Sequence, residues 1–122
     1  MMRFVITGGS GFVGSHLVKR LLKENHQVTV FDLKQKNKAF RLTSIIEKIS
    51  YQTIDFEDKE LLKQKLRNFD CVIHFSSRAN TAVGGRKDLD LKQGIITTYN
   101  ILEAMQVNGI KKIIFSSAPA IY

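Results

Sequence analysis

Apolar positions along the chain alternate between two spacings. Residues 3–7, Arg-Phe-Val-Ile-Thr, form a short β-branched and aromatic run bounded by glycines, the pattern of a buried strand. Val13, Leu17 and Leu21 then recur every fourth residue with Val18 and Leu22 beside them, which predicts an amphipathic helix over 12–24. A second strand over 27–31 ends at Asp32; a short helix is expected over 39–48 and a weaker strand over 51–54. Residues 59–67 predict a helix with Leu61, Leu62 and Leu66 on one side, and 71–75 a fourth strand. After a loop of small residues running to about 86, Leu91, Ile95, Thr98, Leu102 and Met105 mark a long helix over about 88–108, stopped by Asn108-Gly109. Residues 113–115 complete a fifth strand.

Strands alternating with helical segments imply an α/β fold with a parallel sheet and right-handed crossovers. The expectation is a Rossmann-type doubly wound sheet of order 3-2-1-4-5, one domain over 1–122. Pro119, the single proline, falls after the last strand and interrupts no ladder.

The strongest chemical signal lies where the first strand meets the first helix, in Thr7-Gly8-Gly9-Ser10-Gly11-Phe12-Val13-Gly14. Gly8 permits a tight turn, Gly11 removes a Cβ that would keep backbone from a pyrophosphate, and Gly14 lets the helix pack closely on the sheet. The helix start offers unpaired N–H groups and a positive dipole end to an anion. With Asp32 closing the next strand, the arrangement is that of a dinucleotide site, the carboxylate accepting from adenosine ribose hydroxyls. A carboxylate there repels a 2′-phosphate and favours NAD over NADP; Lys34, Lys36, Lys38 and Arg41 follow as loop charges that work in the other direction.

Composition narrows the picture. A 43% hydrophobic chain with 25% charged residues can bury a core, and its one cysteine, Cys71, excludes an internal disulfide. No apolar run approaches the roughly 20 residues of a membrane helix. The N-terminus lacks a signal-peptide pattern, so a soluble cytoplasmic protein without a membrane partner is expected. The net charge of +8 raises nucleic acid as a partner, but the basic residues are spread along the chain without interleaved aromatics, and no nucleic acid is expected. No metal site is read.

Taken with the spacing Thr-Gly-x-x-Gly-x-x-Gly, six segments in order resemble the extended short-chain dehydrogenase/reductase family, the NAD-dependent epimerases and dehydratases of nucleotide sugars, UDP-glucose 4-epimerase among them. They are the glycine turn, Asp32, Asp55-Phe56-Glu57-Asp58, Val72-Ile73-His74-Phe75-Ser76-Ser77, Thr98-Tyr99-Asn100-Ile101-Leu102-Glu103-Ala104 and Phe115-Ser116-Ser117-Ala118-Pro119-Ala120-Ile121-Tyr122. The resemblance implies that Gly8, Gly11, Phe12, Val13, Gly14 and Asp32 hold the cofactor. It further implies that Asp55 meets the adenine amino group with Phe56 alongside, and that Phe75, Ser76 and Ser77 line the nicotinamide side. By position alone, Asp55 reads equally as the cap of the helix that follows. His74 reads as a structural histidine inside a strand, Cys71 as an inert buried thiol, and Asn100 as a supporting hydrogen-bonding residue.

Three departures accompany the resemblance. Ala118 stands where the family usually has a Ser or Thr that polarises the reacting oxygen, so that either the neighbouring Ser117 substitutes or this contact is weaker. Gln93-Gly94 stands where an Asn is usual. The family's Tyr-x-x-x-Lys base motif occurs nowhere in the sequence, and the reading is of a domain truncated after strand five, without its substrate-binding C-terminal domain. The expected function is the cofactor portion of an NAD-dependent nucleotide-sugar epimerase or dehydratase, a homodimer at full length. The alternative is a non-catalytic dinucleotide-binding sensor or scaffold.

Overall fold

The structure, a computed structural model, describes residues 1–75 and 87–116, without the side chains of 87–93. Five parallel strands, β1 (Arg3–Thr7), β2 (Gln27–Asp32), β3 (Ser50–Thr53), β4 (Cys71–His74) and β5 (Ile113–Phe115), form one sheet in the order β3-β2-β1-β4-β5. That is the expected order. The helices are α1 (Phe12–Lys23), α2 (Lys59–Lys65) and α3 (Lys87–Val107). No helix among the described residues is long and apolar enough to cross a membrane.

The two-residue period of each strand divides the core into two layers. Val5, Phe31 and Val72 point to one face, packing with Leu62 and Leu66 around α2 and with Ile101, Ala104 and Met105 of α3. Phe4, Ile6, Val28, Val30, Cys71 and Ile73 point to the other, against Val18 of α1 and Leu42. Because both faces are covered, β1 and β4 are nearly continuous apolar runs, as parallel strands must be.

Segment 39–48 departs from expectation. It is not an α-helix but a 3-10 helix, Phe40–Lys48, preceded by a 3-10 turn at Lys36–Lys38. Only Leu42 of the 3-10 helix is buried; over so short a stretch, apolar residues three apart satisfy a 3.0-residue turn as well as a 3.6-residue one. The second helix is shorter than expected, ending at Lys65, and the third strand begins one residue earlier.

Candidate functional site

β1 and β2 pair in the register Thr7↔Phe31, so the glycine turn just past β1 and Asp32, the last residue of β2, lie side by side. Gly8 takes φ +71°, a conformation L side chains rarely adopt. Its N–H donates to Phe31 O at 2.9 Å and its carbonyl accepts from Gly11 N–H at 3.1 Å, reversing the chain into α1. The other glycines act through space. A Cβ on Gly14 would lie 2.5 Å from Gly8 O and 2.8 Å from Gly9 Cα, so the close approach is of helix to turn backbone. A Cβ on Gly9 would lie 2.9 Å from both methyl carbons of Val30, which seats the turn on β2. At Gly11 a Cβ would meet only Gly8 O, at 3.4 Å; this side of the turn is open.

Gly11 is also the N-cap of α1, with no side chain to satisfy the first-turn N–H groups, and that turn holds no acidic residue. The helix start therefore presents donors and a positive dipole end to an anion. Phe12 and Val13 stand exposed beside it.

Asp32 is half-buried and held from three directions. Its Oδ2 accepts from Ser10 N–H at 3.1 Å and from the Ser10 hydroxyl at 2.5 Å, and its Oδ1 accepts from Lys34 N–H at 3.0 Å. The Tyr51 hydroxyl donates to Lys34 O at 2.6 Å. Burial, then the Asp32 charge, push the Tyr51 phenol up to about 12, so it stays a neutral donor. Past Asp32, the Arg41 guanidinium and the Lys34 ammonium lie over the exposed ring of Phe40, 4.5 and 5.8 Å from its centroid.

On the β4 side, His74 is buried between Thr7 Oγ1, 2.5 Å from Nδ1, and Thr98 Oγ1, 3.3 Å from Nε2. Burial pushes its pKa down to about 4, so the imidazole is neutral, a structural histidine as expected. Phe75 follows, its N–H donating to both Thr7 O at 3.0 Å and Thr7 Oγ1 at 3.1 Å. Cys71 is a buried free thiol whose pKa burial raises, an inert group. No cluster of three or more potential metal ligands occurs among the described residues.

One reading of the segment after β3 is corrected. Asp55 does not cap α2: the N-cap is Asp58, whose Oδ1 accepts from Leu61 N–H at 3.1 Å. Asp55 instead closes the preceding turn, accepting from Glu57 N–H on Oδ1 and from Asp58 N–H on its carbonyl, each at 3.0 Å. Phe56 is 3% exposed and packs in the core with Leu62 and Ile101. Asn100 supports that segment, donating from Nδ2 to Phe56 O at 2.9 Å. Ser76, Ser77, Ser117, Ala118 and Tyr122 fall outside the described residues, as does the side chain of Gln93.

The structure thus brings together Gly8, Gly11, Phe12, Val13, Gly14 and Asp32 at the carboxyl end of the sheet and adds Ser10 and Tyr51, which pattern reasoning missed. The signal for Ser10 was present: a hydroxyl in a turn that parallel pairing sets beside the acid ending β2.

Residues 5–122 match the model of the 3-beta hydroxysteroid dehydrogenase/isomerase family. The chain is 32% identical over 124 residues to UDP-glucose 4-epimerase of Halalkalibacterium halodurans, covering 99% of this chain and 36% of that protein. It is 33% identical over 121 residues to UDP-N-acetyl-alpha-D-glucosaminuronate decarboxylase of Bacillus cytotoxicus, covering 98% and 37%. The crystal structure of the Thermus thermophilus UDP-glucose 4-epimerase in complex with NAD superposes with a TM-score of 0.82 at 31% identity, over 96% of this chain and 38% of that one. The chain therefore spans under two-fifths of the length of these relatives. By the family match over residues 5–122 and the shared sheet order, it belongs to the 3-beta hydroxysteroid dehydrogenase/isomerase family and is related to the epimerases of the extended short-chain dehydrogenase/reductase class.

Proposed function

We propose that the chain is the cofactor-binding portion of an NAD-dependent nucleotide-sugar epimerase or dehydratase. The observation that carries this reading is the pairing of an open cradle with an acid. At Gly11 a Cβ would meet only Gly8 O, the α1 start has no side-chain cap, and Asp32 lies beside them. The donor set fits a dinucleotide. Backbone N–H groups at Phe12 and Val13 would hold the pyrophosphate. Asp32 would accept from the adenosine ribose and, being anionic, would disfavour a 2′-phosphate, so NAD is bound in preference to NADP. Asp55 would serve the adenine end. Phe75, with Ser76 and Ser77, would line the nicotinamide side, and Ser117 would stand in for the family hydroxyl replaced by Ala118. When bound, NAD supplies a hydride acceptor and donor for a sugar carbon.

Both curated relatives are named for UDP-sugar substrates, which supports a nucleotide sugar as partner of the whole protein. The base motif Tyr-x-x-x-Lys is not among these 122 residues, and the chain is proposed to bind NAD without turning over a sugar. A homodimeric, cytoplasmic full-length enzyme completes the proposal. The second reading, a non-catalytic dinucleotide sensor, draws on Ala118 at the position of the polarising hydroxyl.

Calorimetric titration tests the reading. NAD binds the wild-type chain and binds Asp32→Ala more weakly; no NAD binding, or equal affinity in the variant, refutes it. Epimerisation of a nucleotide sugar by these 122 residues refutes the proposed division between binding and turnover.

A further inference from the structure

We infer that Ser10 is a specificity-determining positioning residue, acting on the choice between NAD and NADP through Asp32; the inference rests on the dinucleotide reading above. A carboxylate has about four acceptor positions. Ser10 occupies both of those on Asp32 Oδ2, with its N–H at 3.1 Å and its hydroxyl at 2.5 Å. Lys34 N–H takes one on Oδ1, at 3.0 Å. The remaining acceptor position is on Oδ1, so Oδ1 is the oxygen left to receive a ribose hydroxyl.

Ser10 is 3% exposed, within a turn whose neighbours are fixed: Gly9 against Val30, and Gly11 bonded to Gly8 O. Lys34 is fixed in turn by the Tyr51 hydroxyl on its carbonyl. The carboxylate is therefore clamped between two rigid anchors and cannot swing aside for a second anion. A hydrogen bond from a hydroxyl to a charged acceptor is among the stronger single contacts. Without it, Asp32 gains rotamer freedom. The carboxylate can then turn away from a 2′-phosphate, while Lys34, two residues along the chain, supplies compensating positive charge.

The clamp predicts a change in the ratio of the two cofactor affinities. In Ser10→Ala, NAD affinity falls because the acceptor is no longer held in place, and NADP affinity relative to NAD rises. A preference reduced by about tenfold is expected from release of one charge-assisted hydrogen bond. A defect in folding alone would weaken both cofactors together and leave their ratio unmoved.

The experiment is a double-mutant cycle read by calorimetry with NAD and with NADP, on wild type, Ser10→Ala, Asp32→Asn and the double variant. Ser10→Gly, which keeps the backbone donor and takes less space, provides a second removal of the hydroxyl. The expected result is a lowered NAD preference in Ser10→Ala and Ser10→Gly, and a double variant with the same preference as Asp32→Asn. Wild-type preference in both Ser10 variants overturns the inference while leaving the dinucleotide reading intact. So does a Ser10→Ala effect that persists in full on the Asp32→Asn background, because Ser10 would then act on something other than Asp32. A wild-type chain that binds neither cofactor overturns the dinucleotide reading and the inference with it.

Discussion

Substituting Gly14 and Gly11 by alanine separates the structural from the binding role of the glycine turn. At Gly14 the new Cβ would lie 2.5 Å from Gly8 O, about 0.9 Å inside the distance at which ordinary contact begins, and 2.8 Å from Gly9 Cα. Both obstacles are backbone in a turn that Gly8 and Gly11 hydrogen bonds hold closed, so no rotamer change relieves the clash. Overpacking of this kind costs about 1–3 kcal/mol. For a domain of this size that corresponds to a fall in Tm of about 4–12 °C. Gly11 has φ −73° and ψ −179°, ordinary extended backbone, and its Cβ would be clear of all but Gly8 O at 3.4 Å. There the loss of a glycine N-cap and the gain from a stiffer unfolded chain nearly cancel, leaving stability within about 0.5 kcal/mol of wild type. The same methyl projects toward the proposed pyrophosphate position, so NAD affinity falls by about tenfold or more. Thermal unfolding followed by circular dichroism, together with NAD calorimetry, reads both variants. A Gly14→Ala protein melting within about 1 °C of wild type would show slack in the turn and refute the packing argument. Equal melting losses in the two variants would refute the division of roles.

Three further outcomes follow from the site. Folded His74 resists protonation until pH about 4, whereas the unfolded residue titrates near 6.5, so acidification through this window favours unfolding. Its contribution falls by about 2 kcal/mol between pH 7 and pH 5; urea titrations at the two pH values should show a smaller fall in His74→Gln, and equal falls would contradict the assignment. Asp58→Ala removes the α2 cap and should cost about 1 kcal/mol in urea unfolding, with no measurable loss indicating that the cap bond is idle. Asn100→Ala strands the Phe56 carbonyl in the core and should cost about 1–3 kcal/mol; a neutral result would mean that another donor reaches it.

Much of the fold was legible because its periods are local. The four-residue repeat of Val13, Leu17 and Leu21 and the continuous apolar runs of β1 and β4 each follow from one element burying one or both faces. The positional reading of Asp55 as a cap failed at the level of a single side chain. Which of two acids three residues apart caps α2 depends on where the intervening turn sets the first helical residue. Whether an aromatic points to solvent or core depends on the helix packed across from it.

The sequence by itself determined the alternation of strands and helices, the glycine turn between β1 and α1, and the acid ending β2, since these rest on spacing along the chain. Only the tertiary structure decided that Ser10 grips Asp32, that Gly14 meets the turn rather than the sheet, and that His74 bridges Thr7 and Thr98. Each of those contacts joins residues from different elements, and their distances are set by the strand register and the seating of helices on the sheet, which no local pattern encodes.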